Sequence, residues 1–158
     1  MIRVGLGYDA HRLVKGRPLF LGGVQVPHSK GLEGHSDADV LLHALVDALL
    51  GAAGLADIGT YFSNKDARWK NVSSLLFLRE VARIFKSKKI KILNVDCVLI
   101  SEEPKIAPYI AEMKKKISEA LNIKISAVGI KASTNEGLGF EGKKQGMCAH
   151  AVALISSK

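Results

Sequence analysis

Cysteine is scarce in this chain, with only Cys97 and Cys148 among 158 residues. Both lie inside apolar segments, so they read as small core residues rather than as a disulfide or a thiolate metal site. Long apolar runs are absent too: none reaches the roughly 18 residues that crossing a bilayer requires, and no membrane role is expected. Only four prolines occur. With no repeat, low-complexity tract or Pro/Ser/Gly-rich linker, residues 1–158 read as a single domain. The opening Met1-Ile2-Arg3-Val4-Gly5 has the pattern of a strand, not of a charged and then apolar leader, so a cytoplasmic protein is expected.

Acidic residues are the minority charge, 15 against 23 Lys plus Arg, for a net +8. That balance favours an anionic partner. Much of the excess sits in Lys86 to Lys91 and Lys114 to Lys116, on or beside expected helices, where lysines usually face water. Aromatics, at 6%, do not interleave with basic residues, so a nucleic-acid surface has no support beyond charge. Apolar residues at 47% and charged ones at 24% are those of an ordinary globular domain able to bury a core.

Ile2, Val4, Leu6 and Tyr8 alternate with Arg3, Gly5 and Gly7, which predicts a strand. Pro18 to Pro27 predicts a hairpin around Gly22-Gly23. Ser36-Asp37-Ala38-Asp39 has the form of a helix capping box. Behind it Leu41, Leu42, Leu45, Leu49 and Leu50 recur at helical spacing, with a stop expected at Gly54. Leu75 to Phe85 and Ile110 to Leu121 predict two further amphipathic helices. Leu93 to Leu99, Ala127 to Ala132 and Met147 to Ile155 predict strands, the last apolar on both faces as a central strand is. The expected fold is α+β: a mixed open sheet with helices on one face. The other face then needs cover, which self-association would supply.

Asp9 and His11, two apart in a strand, point the same way. His43 on the following helix is the candidate third ligand. Two imidazoles and one carboxylate leave one tetrahedral position open, as catalytic zinc requires. Asp39 or Asp47, four residues to either side of His43, is a candidate to orient its imidazole. Gly5 and Gly7 are expected to let a ligand approach the backbone. The segment Lys131-Ala132-Ser133-Thr134-Asn135-Glu136-Gly137-Leu138-Gly139-Phe140 offers hydroxyls and one carboxylate, enough for phosphate and a Mg²⁺ ion that also takes substrate oxygens.

Three separated motifs, Gly5-Leu6-Gly7-Tyr8-Asp9-Ala10-His11-Arg12, Gly34-His35-Ser36-Asp37-Ala38-Asp39-Val40 and Lys131 to Phe140, together resemble the 2-C-methyl-D-erythritol 2,4-cyclodiphosphate synthase family. His43 to Ala53 and Asp57-Ile58-Gly59 extend the likeness, in order, through nearly the whole chain. The resemblance implies a homotrimer with active sites between subunits, closing a cyclic diphosphate and expelling CMP from a CDP-linked substrate. It implies Zn²⁺ on Asp9, His11 and His43, and Mg²⁺ or Mn²⁺ on Glu136. Thr134, Asp39 and His35 are the candidate catalytic residues. Substrate contacts are expected from His35 and Ser36, from Asp57 and Gly59 at the ribose, and from Ala132, Ser133, Thr134, Phe140 and Lys143. Ser101, Pro104, Lys105, Ile106 and Ala107 would form the cytosine pocket from an adjacent subunit. Phe62-Ser63-Asn64-Lys65-Asp66 stands where members carry Phe-Pro-Asp-Thr-Asp or similar, and Lys143 and Gln145 stand where many have Arg and Glu. With no cytidylyltransferase segment before the first motif, the single-activity form is expected. A zinc-dependent phosphohydrolase acting on a nucleoside diphosphate derivative is the rival reading.

Overall fold

A computed structural model describes residues 1–157. Five strands form one mixed sheet in the order β4-β1-β7-β5-β6. They are β1 (Ile2–Lys15), β4 (Lys30–Leu32), β5 (Lys91–Ile100), β6 (Val128–Ser133) and β7 (Gly146–Ser156). Only β5 and β6 run parallel; β7 lies antiparallel between β1 and β5, the central place its apolar sequence called for. A two-stranded hairpin joins β2 (Leu19–Leu21) to β3 (Val24–Val26). Gly22 and Gly23 hold its turn with φ of 59° and 78°, the left-handed pair of a tight type I′ connection.

The helices α1 (Val40–Ala52), α3 (Leu75–Ser87) and α4 (Ile110–Leu121) cover one face, with the short α2 (Ile58–Tyr61) and α5 (Gly139–Gly142) in connections. Between them and Val95, Cys97, Leu99, Ala149, Ala151 and Ala153 of the sheet lies the apolar core. Each fully buried leucine there contributes about 1.5–3 kcal/mol. Both cysteines are free and buried, as their apolar surroundings implied. Among the described residues, no helix is long and apolar enough to cross a membrane.

Two local expectations change. The cap of α1 is Asp39, whose carboxylate accepts from Leu42 N, so the helix begins four residues later than Ser36. Gly5 and Gly7 face α1 rather than a ligand: a Cβ would meet the Ala48 carbonyl oxygen at 2.0 Å and that of Ala44 at 1.8 Å. Their hydrogens let the helix lie flush on β1. The alternate residues Ile2, Val4, Leu6 and Tyr8 therefore point to the uncovered face, 52–70% exposed.

Candidate active site

Every residue of α1 is buried except His43, Asp47 and Gly51. These recur every four residues, so they form one stripe along the helix. The stripe lies over the same sheet face that presents Asp9 and His11 from β1. His43 Nδ1 comes within 3.0 Å of Asp9 Oδ2 and 3.1 Å of His11 Nε2. His11 Nε2 lies 2.8 Å from the same carboxylate oxygen. Asp9, His11 and His43 are the group of metal-capable side chains found among the described residues.

The outward nitrogens of both rings are engaged. His11 Nδ1–H donates to the Glu33 carbonyl at 2.7 Å, so Nε2 is the lone-pair nitrogen offered to an ion. His43 Nε2 faces Ser74 Oγ at 2.9 Å and Ser36 Oγ at 3.2 Å. A donor set of one carboxylate and two imidazole nitrogens, each ring held through its other nitrogen, fits a tetrahedral divalent ion with one open position. Burial pushes the Asp9 carboxyl up, but hydrogen bonds from His11 and His43 and their charge outweigh it and hold it at about 2. The same pair works the other way on His11. Burial lowers it, and the hydrogen bond and charge of Asp9 raise it above its usual value.

Neither candidate carboxylate orients His43. Asp39 is fully buried, and its oxygens accept from Gly22 N, Gly23 N and Leu42 N at 3.0, 2.7 and 3.1 Å. It ties the hairpin to the start of α1. Burial, then the neighbouring Asp37 charge, raises its carboxyl despite those three donors. Asp47 accepts from Ile58 N at 2.7 Å and so sets the loop that carries Asp57 and Gly59. The orienting groups are serine hydroxyls, with Asp37 behind Ser74. Arg17 fixes the loop between them, donating to the carbonyls of Gly34 at 3.1 Å and Ser36 at 2.8 Å.

Asp9, His11 and His43 open on a cavity of about 200 Å³ lined by Gly34, His35, Ser36, Gly59, Asn64 and an aromatic wall of Phe62, Trp69 and Phe77. Phe62 stacks on Phe77 with centroids 4.6 Å apart, which gives the residue before the departing Ser63-Asn64 a firm seat. His11 also borders a second cavity of about 720 Å³, lined by Arg12, Lys30, Phe140, Lys143 and Lys144. Asp57 caps α2 through Thr60 N at 2.8 Å, at the surface beside Gly59.

The remaining site residues lie at the far side of the sheet. Ala132, Ser133, Thr134 and Glu136 are exposed at the end of β6. Thr134 Oγ1 donates to Glu136 at 3.2 Å, while the Glu102 carboxylate accepts from Asn135 N at 2.9 Å and holds the turn. Ser101 and Ile106 are buried, and Pro104, Lys105 and Ala107 reach the surface beside that turn. Within one chain, none of these lines the cavity at His43.

A model of the YgbB family matches residues 2–156. The chain belongs to the YgbB family. A relative from Caldicellulosiruptor bescii, 2-C-methyl-D-erythritol 2,4-cyclodiphosphate synthase, is 54% identical over 155 residues, 98% of this chain and 99% of its own length. The solved IspF of Plasmodium falciparum, a CDP complex, shares 36% identity and a TM-score of 0.86, covering 99% of this chain and 97% of that one. The bifunctional IspDF of Campylobacter jejuni has a TM-score of 0.90 and 34% identity over 100% of this chain, which spans 43% of the longer protein. The YgbB match bears out the family read from the three motifs, and the solved relatives bear out the mixed open sheet with its helices.

Proposed function

We propose that this YgbB-family chain converts 4-diphosphocytidyl-2-C-methyl-D-erythritol 2-phosphate into 2-C-methyl-D-erythritol 2,4-cyclodiphosphate and CMP. The activity class, cyclodiphosphate synthesis in non-mevalonate isoprenoid formation, is that of the family and its named relatives. The observation that carries the site assignment is the convergence of Asp9, His11 and His43, with the outward nitrogens of both rings bonded, between an aromatic-walled and a basic cavity.

In the reaction an oxygen of the 2-phosphate forms a bond to the β-phosphorus, and the bond from that phosphorus to the bridging oxygen of CMP breaks. The electron pair leaves with CMP. A phosphate monoester, with a second pKa of about 6, is already largely dianionic at neutral pH, so no side chain need act as a strong base. Zn²⁺ on Asp9, His11 and His43, and Mg²⁺ or Mn²⁺ on Glu136, would supply charge neutralisation and polarisation at the phosphoryl oxygens. The chain's own groups then bend and hold the substrate. His35 and Ser36 receive the methylerythritol side, and Asp57 and Gly59 the ribose. Thr134 contacts the phosphates, beside Ala132, Ser133, Phe140 and Lys143. Holding both ends of one substrate in contact can remove ~7 kcal/mol of the barrier or more.

The exposed apolar row Ile2, Val4, Leu6 and Tyr8, joined by Val152 at 41% exposure, is broad for a free surface. It supports a homotrimer that packs its sheets around a threefold axis. A neighbour would then bring Ser101, Pro104, Lys105, Ile106 and Ala107 to the nucleotide; that a relative is solved as a CDP complex supports a cytidine nucleotide as the ligand. Residues 1–158 would act as one cytoplasmic domain.

Phosphorus NMR of the purified protein with this substrate, with and without a chelator, tests the reading. Metal-dependent appearance of CMP and a cyclic diphosphate is expected. Release of inorganic phosphate instead would identify a phosphohydrolase.

A further inference from the structure

We infer that Ser74 and Asp37 are positioning residues for the metal centre: a hydrogen-bonded chain from His43 through the Ser74 hydroxyl to the Asp37 carboxylate selects the nitrogen with which His43 binds its ion. This rests on the reading of Asp9, His11 and His43 as a zinc site and deepens it.

Ser74 is fully buried and directly precedes α3. Its hydroxyl lies 2.5 Å from Asp37 Oδ1, and its N–H donates to Asp37 Oδ2 at 2.9 Å. An ionised carboxylate only accepts, and a serine hydroxyl has a single proton. That proton therefore goes to Asp37, and the Ser74 oxygen is left to accept. The group facing it at 2.9 Å is His43 Nε2, which must then carry the hydrogen. A neutral imidazole protonated at Nε2 has its lone pair at Nδ1. Nδ1 is the nitrogen beside Asp9 Oδ2 and His11 Nε2.

Ser36 does not duplicate this role. Its Oγ is farther from Nε2, at 3.2 Å, and accepts from Ala38 N, with no carboxylate behind it. Asp39 and Asp47 are committed to backbone N–H groups. Asp37 is thus the one carboxylate linked to His43 through Nε2 among the described residues, and its negative charge strengthens that nitrogen's donation. Position 37 also suits the role mechanically. Oδ1 receives a further hydrogen bond from Asp39 N at 3.2 Å, so both oxygens are held and the chain keeps one direction.

The test compares wild type, Ser74→Ala and Asp37→Asn, with the buried Ser118→Ala of α4 as a control away from the site. Zinc affinity is read by competition with a chromophoric chelator, and the metal-free fold by circular dichroism and thermal melting. Ser74→Ala is expected to weaken zinc by roughly 10- to 100-fold, the usual effect of removing a histidine's outer partner. Asp37→Asn should move the same way, because an amide offers one acceptor oxygen where three donors reach the two oxygens of the carboxylate. Ser118→Ala should bind as wild type does. Cobalt(II) substituted for zinc gives visible absorption bands that follow ligand geometry, and these should change in Ser74→Ala while the metal-free spectrum stays wild-type. If one variant fails to fold, the other carries the comparison. Wild-type zinc affinity in both would overturn the inference and leave the zinc site standing. A wild-type protein that takes up no zinc would instead overturn the site reading, and the inference with it.

Discussion

A Cβ at position 7 would lie 1.8 Å from the carbonyl oxygen of Ala44, so Gly7 of β1 and Ala44 of α1 are in contact with no room for a side chain. His43 is the neighbour of Ala44, and Asp9 stands two residues beyond Gly7. The spacing that admits only hydrogen at position 7 is therefore the spacing that lets His43 reach Asp9. Gly7→Ala should lift α1 from the strand. The expected effects are a loss of at least about 1–3 kcal/mol, as for overpacking, and a disproportionate loss of zinc affinity. Urea denaturation and chelator competition read the two separately. Wild-type zinc binding in a destabilised variant would show that the helix can shift without moving His43.

The sequence made much of this site legible because the ligands sit on regular elements. Asp9 and His11 follow the two-residue strand period, and His43 lies in a helix whose leucines declare its phase. Capping chemistry was visible at Ser36-Asp37-Ala38-Asp39, but four polar residues in a row can divide the roles in several ways. Only the fold shows that Asp39 caps, that Asp37 turns to Ser74 and that Ser36 turns to His43. Ser74 carried no signal beyond that of a small polar residue before a helix. Gly5 and Gly7 were misjudged because a helix backbone and a ligand make the same demand for space. The far group, Ser101 to Ala107 with Thr134 and Glu136, has no contact with His43 inside one chain, so no folding rule for a lone chain could join them.

Asp39→Ala separates capping from catalysis. The substitution strands the N–H groups of Gly22, Gly23 and Leu42, all met by this one carboxylate. Each buried donor left unpaired costs about 1–3 kcal/mol, so a drop of several kcal/mol in unfolding free energy is expected. Below its lowered melting temperature the folded fraction should still bind zinc, because the carboxylate makes no hydrogen bond to Asp9, His11 or His43. A stable variant lacking turnover would restore Asp39 to the chemistry.

The zinc-free protein should be most stable in mildly acidic solution. Asp9 is held at about 2 against an ordinary 3.8, so its contribution is present above pH 3.8 and is lost as pH falls toward 2. His11 is raised above 6.5, so its contribution is full below pH 6.5 and is lost as pH rises through the raised value. These are two ends of one interaction. Burial raises the Asp39 carboxyl to about 7 against 3.8, so its contribution also fades as pH rises through that value, with or without zinc. Zinc requires the neutral imidazole, and adding it should remove only the His11 part of the upper decline. Melting curves from pH 2 to 9, with chelator and with zinc, give the comparison. Chelated and zinc-loaded protein declining alike above pH 6.5 would mean that His11 is not charged in the zinc-free state.

Leu6→Asp tests whether neighbouring copies complete the site. Leu6 is 70% exposed in one chain, so a carboxylate there leaves an isolated chain nearly unchanged in stability. Inside a packed sheet-to-sheet interface the same charge would be buried without a partner, at a cost of several kcal/mol. The variant should therefore scatter light as a monomer where the wild type scatters at three times the chain mass. Its zinc affinity should persist, since Asp9, His11 and His43 all come from one chain. Turnover should fall nonetheless, because the segment from Ser101 to Ala107 would no longer arrive from a neighbour. A monomeric variant with full turnover would place the nucleotide pocket within a single chain. A wild-type monomer would remove the threefold assembly altogether.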